Sequence, residues 1–100
     1  MFKSKEQIEI EFSKAINQAQ ELEDIARELS TIANAHIESA ITLLEKSWRG
    51  ENGTCFCTKG RELTAEMFET ADDLIKVARN IRNTANIVYK AEKASLQIIY

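Results

Sequence analysis

Small and apolar residues recur in steps of four and three along most of this chain. In the first half the steps alternate without interruption. The residues are Ile8, Phe12, Ala15, Ala19, Leu22, Ala26, Leu29, Ala33, His36, Ala40 and Leu43. This seven-residue repeat is typical of a long α-helix that packs at a shallow angle along a partner helix. The chain contains no proline, which agrees with an all-α fold.

One strong break, at Gly50-Glu51-Asn52-Gly53, interrupts the pattern. Beyond it the repeat resumes in steps of three and four. The members are Phe56, Gly60, Leu63, Met67, Ala71, Leu74, Ala78, Ile81, Ala85, Val88, Glu92, Ser95 and Ile99. Ser4, followed by Gln7, has the spacing of a helix-capping box. The sequence therefore predicts a single domain with helices at about 4–48 and 52–98. Because the turn at about 49–52 is so short, we expect an antiparallel hairpin.

A second apolar line runs beside the main line, which we call the seam. It comprises Ile25, Ile32, Ile37, Ile41, Leu44 and Trp48 in the first helix, and Phe68, Ile75, Tyr89 and Leu96 in the second. A two-helix hairpin has only one interface, so these side chains would face water. We therefore expect a second hairpin to cover them in a four-helix bundle dimer. The alternative is a hairpin packed on a different protein.

Composition excludes several functional classes. Thirteen basic residues against sixteen acidic ones offer no concentrated basic face for a nucleic acid. Two cysteines and one histidine are too few for a four-ligand zinc site. No apolar run approaches the roughly 18 residues of a membrane-spanning helix, and the N-terminal residues do not form an ordinary secretory signal. We therefore expect no stable membrane insertion. The sequence also shows no catalytic constellation, so we expect no enzymatic activity and no cofactor.

Cys55, Cys57 and His36 are the remaining reactive side chains. On a helix Cys55 and Cys57 point about 200° apart, so they cannot bond to each other. They are either small packing residues near the turn or thiols available to another molecule. His36 lies on the seam, where it is either a pH-sensitive interface residue or one satisfied by a carboxylate.

The turn carries the most informative motif. Trp48-Arg49-Gly50 lies near the middle of a proline-free hairpin, and an aromatic residue, Phe56, follows Gly50 by six positions. Over essentially its whole length the chain resembles the WXG small-protein family, the ESAT-like secreted antigens. The resemblance implies a hairpin that pairs head-to-tail as a homodimer or as a heterodimer with another small helical protein. It also implies synthesis in the bacterial cytoplasm and leaderless export by the type VII (ESX/Ess) secretion machinery.

Two aromatic and acidic pairs are candidate recognition signals. Many proteins exported by this route carry Tyr-x-x-x-Asp/Glu; here Tyr89 precedes Glu92 by three positions, and Lys93 occupies the fourth. Either spacing places the acid beside the aromatic ring on a helix. Phe68 and Asp72 have the full spacing and resemble the Phe-x-x-x-Asp motif of small helical partners of LXG toxins. The ordinary alternative for both pairs is a packed aromatic beside a solvated acid. Because Glu92 lies on the seam, it needs a partner or an exposed position.

Three functions are therefore open. The first is a non-enzymatic type VII secretion substrate or co-secreted partner that acts through helical dimerisation. In a head-to-tail dimer, Trp48 of one chain would approach Tyr89 of the other. The second is an adaptor or chaperone for the helical domain of an LXG-type toxin. The third is a bundle protein with no role in export.

Overall fold

A computed structural model describes residues 3–99, and the side chains of residues 3–97. Helix α1 spans Lys5–Thr31, a π-helical turn spans Ile32–Ile37, and α2 spans Glu38–Ser47. After residues 48–50, α3 spans Glu51–Ile99. The described residues contain no strand, which confirms the predicted all-α helical hairpin. Among them, no helix combines the length and the apolar character that a membrane crossing needs.

Local signals explain where the helices begin. The backbone N–H of Gln7 donates a hydrogen bond to the Ser4 hydroxyl over 3.1 Å, as the capping spacing predicts. At the start of α3, the N–H of Thr54 donates to the carbonyl of Gly50 over 3.0 Å. Glu6 and Glu51 lie in the first turns of α1 and α3, where a negative charge interacts favourably with the helix dipole.

The chain forms two compact units. The terminal unit comprises residues 1–23 and 75–100, and the turn unit comprises residues 24–74. In the terminal unit, Tyr89 of α3 contacts Glu9, and Arg82 contacts Glu23, so the two helical segments run antiparallel. In the turn unit, the short connection between α2 and α3 produces the same antiparallel arrangement.

Small residues dominate the buried line between the helices. The buried side chains are Ile8, Ala19, Ala26, Ala33, Ile41, Cys57, Thr64, Ala71 and Ala78. A Cβ at Gly60 would lie only 2.8 Å from Cδ1 of Ile41, so the helices pack closely at this point of the turn unit. Such packing excludes water but covers little apolar area for each residue.

The π-helical turn shifts, by one residue, the series of side chains that packs against α3. We call this series, and the series on α3 that faces it, the packed line. Ala33 is buried, as the repeat predicts, but His36 and Leu43 are exposed, Leu43 by 67%. Ile41, which was expected on the outer line, is only 4% exposed. A π-helix accommodates about one extra residue, and one residue corresponds to about 100° of rotation. The prediction that His36, Ala40 and Leu43 pack between the helices is therefore wrong; Ile37, Ile41 and Leu44 occupy that side instead.

The packed line of α3 differs by one residue in two places. Phe56 and Leu63 are exposed, whereas their neighbours Cys57 and Thr64 are buried. Steps of three and four alternate strictly in the series Cys57, Gly60, Thr64, Met67 and Ala71. The series through the bulkier neighbours Phe56 and Leu63 does not alternate in this way. Thr64 tolerates burial because its hydroxyl donates to the Gly60 carbonyl over 3.0 Å.

The terminal part of α3 shows a similar difference, because Val88 is exposed and Tyr89 is half-buried. The other predicted seam residues of larger size are half-buried: Phe12, Leu22, Leu29, Met67, Leu74 and Ile81.

Deletion of Ala35 tests whether the π-helical turn absorbs one extra residue. Removing this exposed residue converts the turn to α-helix while Ile37 and Ile41 keep their packed positions. We expect the unfolding midpoint, measured by circular dichroism, to change by less than about 4 °C. Deletion of the exposed Gln18 is the control, because it rotates one part of α1 against the other and should lower the midpoint substantially. Equal losses in both variants would contradict the interpretation.

Candidate interaction surfaces

The turn is built around Trp48 and Gly50. Trp48 leaves the helical conformation with φ −113° and ψ 85°, while its N–H still donates to the carbonyl of Leu44 over 2.7 Å. Gly50 has φ +114°, a conformation that other residues rarely adopt. The glycine of the Trp-x-Gly motif is therefore the residue that permits the chain to reverse.

Trp48 and Phe56 form an aromatic pair beside this reversal. Their ring centroids lie 5.7 Å apart at an interplanar angle of 41°. Trp48 is 45% exposed and Phe56 is 52% exposed, so the pair is accessible at the surface. Gly53 is buried close to the Trp48 carbonyl, and a Cβ at this position would collide with the carbonyl oxygen. The close approach requires glycine at position 53.

An apolar face extends from this pair along the turn unit. Ile25, Ile32 and Leu43 each precede a residue of the packed line by one position, and so do Phe56 and Leu63. On two antiparallel helices, residues one position before the packed line project to the same side of the hairpin. All five are exposed, and Trp48 contacts the face at Phe56. We call Ile25, Ile32, Leu43, Trp48, Phe56 and Leu63 the apolar face.

Phe68 and Asp72 lie in the same unit. Phe68 is exposed and lines an open groove with Ile41, Arg61 and Ala65. Asp72 is also exposed. Phe68 is 38% exposed, so part of its ring is accessible beside this groove.

Tyr89 in the terminal unit is engaged with α1. Its ring centroid lies 4.4 Å from that of Phe12, and its hydroxyl donates to Glu9 over 2.8 Å. The Nζ of Lys93 donates to the same carboxylate oxygen over 2.9 Å and lies 5.4 Å from the centroid of the Tyr89 ring. Hydrogen bonds from Lys93 and then from Tyr89 lower the pKa of Glu9, and the bond to Glu9 raises the pKa of Lys93.

Lys3 is the partner that Glu92 requires. The Nζ of Lys3 lies 3.2 Å from Glu92 and 2.6 Å from Glu11. These contacts, first with Glu11 and then with Glu92, raise the pKa of Lys3. Tyr89 and Glu92 thus share the side of α3 that contacts α1, and both take part in the closure of the terminal unit.

Sequence reasoning did not find Glu9, Lys93 and Lys3. Each belongs to a charged contact between residues more than 80 positions apart, and a seven-residue repeat within one helix carries no signal for it. The complementary charges become visible only when the antiparallel register is known.

The two cysteines differ sharply in exposure. Cys55 is exposed, whereas Cys57 is buried with its sulfur 3.9 Å from the carbonyl oxygen of Ile41. Both thiols are free, and the burial of Cys57 agrees with a packing role. In the described part of the chain, no three histidine, cysteine or acidic side chains form a cluster that could hold a metal ion.

The chain matches no protein-family model, and it has no significant match among curated proteins or solved structures. The likeness to the WXG family therefore depends on the turn motif and the hairpin themselves.

Replacement of Gly53 by alanine tests the close approach at the turn. Because the new Cβ meets backbone rather than a movable side chain, we expect a loss of about 1–3 kcal/mol in the free energy of unfolding. Gly60→Ala is the control, since there the obstructing atoms belong to the Ile41 side chain and alanine favours the helix. Urea unfolding curves would decide, and a larger loss for Gly60→Ala would contradict the prediction.

The cluster around Glu9 predicts a dependence of stability on acid. Because the folded state lowers the Glu9 pKa from its ordinary value of 4.5, ionised Glu9 stabilises the fold above that pH. This contribution disappears as pH falls through the lowered value. We expect Glu9→Gln to reduce the unfolding midpoint at pH 7, and we expect this reduction to shrink as the pH is lowered below 4.5. A difference that stays constant over this range would contradict the assignment.

Proposed function

We propose that this chain is a non-enzymatic protein of the WXG type that is exported by a bacterial type VII secretion system. It acts as a secretion substrate or as a co-secreted partner, and its action is to pair with another helical hairpin. The partner is a second copy or another small helical protein. The proposal rests mainly on one observation, the geometry of Trp48 and Gly50 at the turn.

Each residue of the Trp-x-Gly motif has a distinct place in this geometry. Gly50 has the positive φ of the reversal, and Trp48 presents a half-exposed indole against Phe56. A motif whose glycine permits the turn and whose tryptophan remains accessible is suited to recognition at the end of a hairpin. Exposed aromatic side chains of this kind often anchor protein contacts.

The apolar face supports pairing with another protein. Its aliphatic and aromatic side chains are exposed and project to one side of the turn unit. Exposed apolar side chains grouped in this way are a feature of protein interaction sites. An interface on this face would remove these side chains from water and would leave Trp48 at its edge.

Phe68 favours a second candidate function. Its exposure beside the groove formed with Arg61 and Ala65 makes it available to a partner helix. This observation supports an adaptor that binds the helical domain of an LXG-type toxin. In that case Phe68→Ser, rather than Trp48→Ala, would abolish co-purification with the toxin domain.

Replacement of Trp48 by alanine tests the export proposal. In a bacterium with a functional type VII system, we expect at least a tenfold decrease in the fraction of the protein found in the culture medium. The helical content should remain, because the indole is half-exposed and α2 and α3 pack through other residues. Immunoblots of medium and cells measure export, and circular dichroism measures helicity.

Two further variants complete this experiment. Arg49→Ala alters the middle position of the motif and should be exported normally. Trp48→Phe keeps an aromatic ring against Phe56 and should retain part of the export. Normal export of Trp48→Ala, or export of the wild type without the secretion ATPase, would overturn the proposal.

A further inference from the structure

We propose that the π-helical turn at Ile32–Ile37 is a register switch, through which α2 moves between two packing positions on α3. In the observed position, which we call the π register, Ile41 is packed and Leu43 is exposed. In the second position, which we call the α register, the turn is α-helical, Leu43 is packed and Ile41 faces water. The inference goes beyond the proposed function, because it concerns motion within one chain and holds whether or not the protein is exported.

Two sets of side chains at helical spacing compete for the same side of α2. Ala33 is buried and precedes both sets. Steps of three and four along an unbroken α-helix lead from it to one set, whereas the extra residue of a π-helix leads to the other. The first set is His36, Ala40 and Leu43, and the second is Ile37, Ile41 and Leu44. Each member of the second set follows a member of the first by one position, so a rotation of α2 by about 100° exchanges them.

The backbone hydrogen bonds of the turn show where the extra residue is held. The N–H of Glu38 donates to the carbonyl of Ala33, five positions earlier, where an α-helix would use Asn34. In a change to the α register, each N–H of the turn exchanges one carbonyl for the next and keeps a partner. The side chains therefore decide which register prevails. Single π-helical turns within α-helices are rare and occur frequently at functional sites.

Side-chain packing favours the π register. Ile41 is 4% exposed, and Gly60 provides its space, since a Cβ there would lie 2.8 Å from Cδ1 of Ile41. The α register would place Ala40 opposite Gly60 and would bring the polar ring of His36 to the packed side. In return it would bury Leu43, which is 67% exposed in the π register. Because burial of Leu43 offsets part of these losses, we expect the α register as a minor state.

The residue released by the π-helical turn has to enter the connection between α2 and α3. That connection comprises only residues 48–50. Trp48 ends α2, since its N–H donates to the Leu44 carbonyl over 2.7 Å, and its ring centroid lies 5.7 Å from that of Phe56. When α2 rotates and advances by one residue, about 1.5 Å, Trp48 moves relative to Phe56 on α3. The switch therefore couples the π-helical turn to the aromatic pair at the Trp-x-Gly motif.

Nuclear magnetic resonance of the full wild-type chain tests the switch. Couplings across hydrogen bonds identify the carbonyl that accepts from the Glu38 N–H, and we expect Ala33 in the major state. A soluble paramagnetic agent should broaden the methyl signals of Leu43 and spare those of Ile41. Shifts of helix register occur in microseconds to milliseconds. Relaxation dispersion should therefore detect a minor state of about 1–10% at residues 32–50.

Deletion of Ala35 provides a locked form of the protein. The deletion removes the extra residue, so Ile41 stays packed in a continuous α-helix and no residue remains to be transferred. We expect the relaxation dispersion at residues 36–50 to disappear, while Leu43 stays accessible to the paramagnetic agent. Trp48 is the only tryptophan, and its fluorescence should match that of the wild type because the π register is retained.

His36→Leu combined with Ile41→Gln provides the opposite form. Leucine at position 36 gains burial in the α register, and glutamine at position 41 is costly to bury in the π register. We expect the α register to become the major state in this double variant. Glu38 should then couple to Asn34, and the methyl groups of Leu43 should be protected from the paramagnetic agent. Its chemical shifts should approach those of the minor state of the wild type.

Ala35→Leu combined with Ile32→Gln is the matched control. It introduces leucine and glutamine into the same turn, but at two positions that are exposed in the π register. Because neither position belongs to the competing sets, this variant should keep the π register and the relaxation dispersion of the wild type.

Three results would overturn the inference. The first is the absence of exchange at residues 32–50 of the wild type, and the second is exchange that persists after deletion of Ala35. The third is a folded double variant in which Glu38 still couples to Ala33. The first two measurements do not use the double variant, so they decide the matter even where that variant fails to fold.

Discussion

The close contact between two helices through alanine, glycine and cysteine is the constraint on which the remaining structure depends. Ala26, Ala33, Cys57 and Ala71 allow the backbones to approach, but they enclose little apolar area. Larger side chains such as Leu43 and Phe56 lie outside this line and remain exposed. A hairpin packed in this way excludes water between its helices and still carries substantial apolar surface outside. The small residues between the helices and the apolar side chains exposed outside them therefore have the same cause, the close approach of the two helices.

Each of the two units has its own interactions around its buried small residues. In the terminal unit, Tyr89 and Lys93 hold Glu9, and Lys3 joins Glu11 to Glu92. Exposed ion pairs of this kind contribute modestly to stability, but they specify which residues face one another. The turn unit instead exposes isoleucine, leucine and aromatic side chains on one side and acidic side chains at its edge. The terminal unit thus carries the contacts that specify register, whereas the turn unit carries the exposed apolar side chains.

The hairpin could be predicted from the sequence because a seven-residue repeat, one glycine-rich break and the absence of proline all favour it. The side chains that occupy the packed line after Ala33 could not. Both Leu43 and Ile41 lie on apolar lines at helical spacing, and only the π-helical turn decides between them. The same difficulty affects Leu63 and Thr64, since hydropathy favours leucine while close packing and a satisfied hydroxyl favour threonine. The glycine at position 50 was predictable from a turn this short, because its positive φ disfavours other residues, whereas the contact of Glu9 with Lys93 was not predictable.

Because Cys55 is exposed and Cys57 is buried, the two thiols of this hairpin differ in their access to reagents. An oxidant or alkylating reagent reaches Cys55 in the folded protein, so a cross-link between folded molecules joins them beside the turn. Cys57 is shielded by the Ile41 carbonyl and reacts only when α2 leaves α3. The rate of Cys57 modification relative to that of Cys55 consequently measures how often the turn unit opens. Modification of Cys55 thereby reports contact between folded molecules, and modification of Cys57 reports transient separation of the helices.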